Sequence, residues 1–180
     1  FPFLKKIKNW HLALCFAIPV VIMYLIYVGL EIHPFGDGSV LVLDLNGQYV
    51  YFFEAMRDVF EGDSSPFYTW YRALSGEFSG MYAYYLASPI NWLLVLVPAK
   101  YVVEAMNFSM ILRAGIAGAT FVYFLKEDRK EEVGMAAFGV FYALSGFYMA
   151  YACNIIWLDG YVLFPLVALG VMRIAKGKSA

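Results

Sequence analysis

"HLALCFAIPVVIMYLIYVGL", residues 11–30, decides the fold. These twenty residues contain no Asp, Glu, Lys or Arg. A helix rises about 1.5 Å per residue, so this length matches the roughly 30 Å hydrocarbon core of a bilayer. A transmembrane helix is expected over His11–Leu30, kinked where Pro19 removes a backbone donor.

The composition agrees. Of the 180 residues, 62% are hydrophobic and the mean hydropathy is +0.65, whereas soluble domains run near 45–50% apolar. Three further spans are expected, at Tyr101–Leu125, Val133–Tyr151 and Ile155–Ile174. The second carries a small-residue face, Ala114, Gly115, Ala117, Gly118 and Ala119, suited to close helix packing. It also carries Glu104 near one end and Arg113 near its middle. Arg113 reads as a buried partner for Glu104 or for a helix beyond this stretch.

Residues 81–98 are apolar but broken by "ASPINW", where Pro89 and Asn91 interrupt a helix. Positive charge decides whether they cross. If they do not, Lys5, Lys6, Lys8, Lys126, Arg129, Lys130, Arg173, Lys176 and Lys178 share one side, and only Arg57, Arg72 and Lys100 face the other. If they do, that bias nearly inverts. Four spans are therefore expected, with a cytoplasmic N-terminus and one external loop over about residues 31–100.

That loop is rich in aromatic residues, Tyr71, Tyr84, Tyr85 and Trp92 among them, which read as anchors in the headgroup zone or, alternatively, as sugar-stacking rings. Apolar residues recur at helical spacing from Leu45 to Phe60, with Glu54, Arg57, Asp58 and Glu61 opposite them. An interfacial helix is expected over about 45–60 and a second over about 81–97. "EGDSSP", residues 61–66, ends the first with turn chemistry.

"VLVLDLNGQYVYFFEAM", residues 40–56, places Asp44 at the start of the first interfacial helix, with Gln48 four residues on and on the same face. Asp44 reads either as an N-cap or as a functional acid. Asp37, between two glycines, reads as a turn residue. Asp159, accompanied by Asn154 and Trp157 in "NIIWLDG", is a second external acid. His11 and His33 read as ordinary interfacial residues. Cys15 and Cys153 read as small buried hydrophobes, with no disulfide framework or metal spacing. Walker, Rossmann, Ser-His-Asp and zinc patterns are absent. "LSGEFSG" does not suggest a phosphate cradle, "KEDRKEE" reads as a solvated cytoplasmic turn, and nucleic-acid binding has no support. No cleavable signal peptide is apparent, and the chain reads as a piece of something larger.

Four segments in order, "PFGDGSVLVLDLNGQYVYFF", "GEFSGMYAYYLASPINWLLVLVP", "RAGIAGATFVYFL" and "YALSGFYMAYACNIIWLDGYVLFPLVALGVMRI", resemble the N-terminal part of the bacterial YfhO family of membrane proteins. The most specific pieces are Asp44, Leu45, Gln48 and Tyr49 in an Asp-Leu-x-x-Gln-Tyr signature, the "SPINWL" run and the "NIIWLD" run.

The resemblance implies an all-α, polytopic transmembrane bundle of the GT-C glycosyltransferase type, of which residues 1–180 form the N-terminal part and would not act alone. It implies a polyprenyl-phosphate-linked sugar donor. The acceptor would be an envelope polymer or glycolipid, such as teichoic acid, at the extracytoplasmic face of a bacterial cell membrane. Carried over, Asp44 takes the catalytic position as general base in an inverting displacement. Arg57 and Arg72 are candidates to stabilise the leaving phosphate, Gln48 and Asp159 to hold sugar hydroxyls or a divalent metal, and Tyr49, Asn154 and Trp157 to line the substrate site. Two other classes stay open: a lipid or polysaccharide transporter or flippase whose pathway Arg113 and Asp159 line, and a non-catalytic scaffold of an envelope-synthesis complex.

Overall fold

The computed structural model describes residues 10–127 and 133–179. Among these every regular element is helical: α1 (Trp10–Gly29), α2 (Val50–Glu61), α3 (Phe78–Met81), α4 (Trp92–Val95), α5 (Val102–Leu125), α6 (Val133–Ala143), α7 (Gly146–Tyr151) and α8 (Ile155–Ala175). The chain is an all-α membrane helix bundle. Three of its helical stretches, Trp10–Gly29, Ala99–Leu125 and Ile155–Ala175, are long and apolar enough to cross a membrane. Their outward side chains include Val21, Leu25, Phe108, Phe164 and Val171, all exposed. Such apolar exposure suits lipid, not water. Lys5, Lys6, Lys8, Arg129 and Lys130, five of the nine cations on the expected cytoplasmic side, lie outside the described residues.

The chain divides into two compact units. The first comprises the residues up to Tyr27, Ile111–Ala150 and those from Leu158 onward. Its helices meet through glycine. A Cβ on Gly118 would run into the carbonyl oxygen of Cys15, and one on Gly139 would lie 2.9 Å from the Cys15 Sγ and 3.0 Å from the Gly118 carbonyl oxygen. Absent side chains therefore let α1, α5 and α6 approach backbone to backbone. Cys15, fully buried there, donates its thiol to the Ala136 carbonyl at 3.3 Å. Elsewhere in the unit Tyr142 stacks between Phe121 (4.4 Å) and Tyr161 (4.3 Å). Tyr142 and Tyr161 each donate a hydroxyl proton to the other's carbonyl, so no phenol there goes unpaired. Beyond the apolar part of α5, Glu127 accepts from Arg173 (2.8 Å) and Lys178 (2.9 Å). His11, expected at the interface, is instead buried in this unit, edge-on to the Trp10 ring at 5.7 Å.

The stretch 133–151, expected as a span, contains two helices. The reason is local. Ser145 Oγ accepts the Tyr148 backbone N–H at 3.3 Å, the hydrogen bond of an N-cap, and so starts α7 anew. The α6 ladder ends just before it, with Leu144 N–H on the Val140 carbonyl.

The second unit comprises Val28–Met110 and Tyr151–Trp157. Its first turn is bound to α5: the Asn107 amide donates to the His33 carbonyl and the His33 ring meets Glu104, each at 2.9 Å. Glu104 is therefore His33's partner and not Arg113's. A wide turn over Leu45–Tyr49, closed by the Val50 N–H on the Leu45 carbonyl, leads into α2. Phe52, Phe53, Ala55 and Met56 give α2 its buried face. Gly62, at φ 87°, ends it in the left-handed conformation that glycine adopts without strain. Two amides beyond, from Asp63 and Ser64, return to the Asp58 carbonyl. Over residues 81–97 one interfacial helix was expected. Instead α3 passes into a second wide turn, Tyr82–Leu86, and breaks before α4. Asn91, fully buried, donates its amide to the Leu86 carbonyl at 3.3 Å across that break.

Candidate functional site

Asp44 occupies the N-cap position of the Leu45–Tyr49 turn but makes no side-chain capping bond. Its Oδ1 accepts the Gln48 amide at 3.2 Å instead. The turn's i→i+5 winding places the two polar groups on one side, and such insertions often occur at functional sites. The cap reading of Asp44 is thereby replaced by a carboxylate oriented by its neighbour.

Gln48 also lines a cavity of about 560 Å³ within the second unit. Both wide turns contribute to its wall. Gly47, Gln48 and Phe52 come from one side; Gly80, Met81, Tyr84 and Tyr85 come from the other; Tyr71, Arg72, Ala73 and Glu77 complete it. Tyr85 packs against Phe52 at 4.9 Å and Tyr84 at 4.7 Å. Its phenol is pushed up, first by burial, then by the charges of Tyr84 and Asp44, with Arg72 acting in the opposite sense. Asp44 and Arg72 are therefore both within electrostatic reach of one ring that lines the cavity.

Arg72 and Glu77 form an ion pair at 2.8 Å, both about half exposed. A two-residue bridge between Thr69 and Gly76 makes the hairpin that presents them. Tyr71, also on this hairpin, donates its hydroxyl to Asp58 Oδ2 at 2.8 Å. That bond, more than burial, pushes its phenol up to about 12.

The other sequence-derived candidates fall elsewhere. Arg57 is buried and does not line the cavity; its guanidinium donates to the carbonyls of Leu94 (3.0 Å) and Val97. The Leu94 carbonyl belongs to α4 and the Val97 carbonyl lies two residues past its end, so Arg57 caps the C-terminal side of that helix. Tyr49 is fully buried, edge-on to Tyr85 at 5.7 Å. Its phenolic oxygen accepts the Ile156 N–H at 3.3 Å, a donor left over in the first turn of α8. Burial pushes this phenol up to about 12, against the lowering effect of the Ile156 amide. Asn154 stands immediately before α8, and Trp157 packs on Tyr151 at 5.0 Å.

Asp159 lies in the first unit, where both its oxygens accept from Arg113, at 2.8 and 3.2 Å. Arg113 is fully buried and Asp159 is 21% exposed. Among the described residues no group of three or more His, Cys, Asp and Glu side chains converges to hold a metal.

Sequence reasoning missed Glu77 and named Tyr84 and Tyr85 only within the loop's aromatic run. One usable signal was the spacing of Gly76 and Gly80 around Glu77. A Cβ on Gly80 would collide with the Glu77 carboxylate, and one on Gly76 would touch Arg72 Cδ at 3.4 Å.

Compared with known proteins, residues 14–180 match the family model described as bacterial membrane protein YfhO. No curated protein and no solved structure gives a match.

Proposed function

Because the chain belongs to the YfhO family of bacterial membrane proteins, we propose that it is part of an extracytoplasmic glycosyltransferase of GT-C type. Its donor is a polyprenyl-phosphate-linked sugar, and its acceptor is a hydroxyl of an envelope polymer or glycolipid such as teichoic acid. The observation that carries this reading is the Asp44 carboxylate, oriented by the Gln48 amide where Gln48 enters the cavity wall.

In the proposed reaction Asp44 takes the proton of the acceptor hydroxyl. The freed oxygen pair attacks the anomeric carbon, and the carbon–oxygen bond to the lipid phosphate breaks. The phosphate departs with that electron pair, and the configuration inverts. The step needs positive charge at the leaving phosphate. Arg57 is committed to α4 carbonyls and Arg72 to Glu77, so neither supplies it in this arrangement. General-base removal costs about 10²–10⁴ in rate. Asp44→Asn in the intact membrane protein should therefore lower sugar transfer by at least about 100-fold with unchanged protein level. Normal transfer by that variant removes Asp44 from the role.

One observation favours a second reading, lipid or polysaccharide transport: the Arg113–Asp159 pair, a charge pair between two apolar helices. A transporter moves substrate without making a glycosidic bond. Mass analysis of envelope polymers from deletion and complemented cells separates the two.

A further inference from the structure

The charge balance of the cavity limits what it can bind. Its Arg72 guanidinium is matched at 2.8 Å by the Glu77 carboxylate, and no other charged side chain lines it. An anion such as a phosphate would meet a neutralised cation and a carboxylate together, which is unfavourable. The remaining polar lining, the Gln48 amide and the Tyr71, Tyr84 and Tyr85 phenols, offers both donors and acceptors without net charge. Phe52 and Tyr85 add apolar ring surface. Donors, acceptors and ring faces in a concave site of this size suit a neutral, polyhydroxylated ring.

The pair is also built for ligand access. Both members are about half exposed, and exposed pairs of this kind contribute little to stability. Yet the backbone makes room for the pair: a side chain at Gly80 would crowd the Glu77 carboxylate, and the Thr69–Gly76 bridge holds the hairpin with bonds of 2.8 and 3.1 Å.

We infer that this cavity is a subsite for a neutral pyranose, whose hydroxyls Arg72, Glu77 and Gln48 read, and that Glu77 excludes anionic sugars by holding Arg72. The sugar's role in transfer rests on the glycosyltransferase reading; its binding does not. The donor's phosphate is then bound outside this cavity.

The test is saturation-transfer NMR on the intact protein in nanodiscs, without donor, using glucose and glucose 6-phosphate as probes. Glucose should receive saturation from aromatic protons and bind at least fivefold more tightly than glucose 6-phosphate. Glu77→Gln should raise glucose 6-phosphate binding about tenfold, and Arg72→Gln added to it should abolish that gain. Equal binding of the two sugars by the unaltered protein overturns the inference without recourse to any variant. So does sugar transfer by a protein that binds no glucose. Glucose binding in a protein that transfers nothing supports the subsite and removes the enzymatic reading instead.

Discussion

Arg113 is the costliest residue in the chain. A fully buried guanidinium within an apolar helix persists only with a partner, and Asp159 is that partner through two hydrogen bonds. Removing Asp159 takes away the carboxylate that accepts two of the guanidinium's hydrogen bonds. Asp159→Ala should therefore destabilise the protein by about 3 kcal/mol. A double Arg113→Met, Asp159→Leu variant should recover most of that loss in a detergent thermal-unfolding series. Equal loss in both variants would show that the pair's charge is not what matters.

Glu127 is a milder case. Hydrogen bonds from Arg173, then Lys178, lower its pKa to about 2. A depressed carboxylate contributes above its unfolded value of about 4.5, and that contribution is lost as pH falls through about 2. Carbon-13 titration should show the Glu127 carboxyl still largely ionised at pH 3.

At the scale of elements, two devices shape the first unit. The glycine contacts set how closely helices approach, so Gly118→Ala, facing the Cys15 carbonyl, should cost about 1–3 kcal/mol. Gly134→Ala meets nothing within 4 Å and should be neutral or stabilising by up to about 1 kcal/mol. Thermal unfolding of the two variants side by side checks this contrast. The Ser145 cap divides α6 from α7; Ser145→Ala should cost about 1 kcal/mol. Hydropathy over 133–151 records what lipid tolerates and not where a hydroxyl competes with the helix ladder. The same limit applies at residues 81–97. Pro89 and Asn91 announced a break there, but not that the Asn91 amide would bind the carbonyl ends of the preceding turn.

For the whole molecule, charge bias remains the argument for orientation. We propose a cytoplasmic N-terminus and an external segment over about 31–100. Asp63→Cys should react with a membrane-impermeant maleimide in intact cells, and Lys176→Cys only after permeabilisation. The reverse pattern would place Asp44 on the cytoplasmic side and leave the proposed transfer without its donor face.

By itself the sequence determined the three long apolar helices, the small-residue face of α5 and the joint placement of Asp44 and Gln48. Each depends on neighbours within a few turns, and helical periodicity carries such information directly. Tertiary structure alone decided who pairs with whom. Arg113 met Asp159, 46 residues away; Arg57 went to α4 carbonyls, 37 residues away; and Tyr49 reached the first turn of α8, 107 residues away. A buried charge or donor must find a partner, but its identity depends on which distant segments the packed helices bring within 3 Å or so, and no local pattern in the chain encodes that.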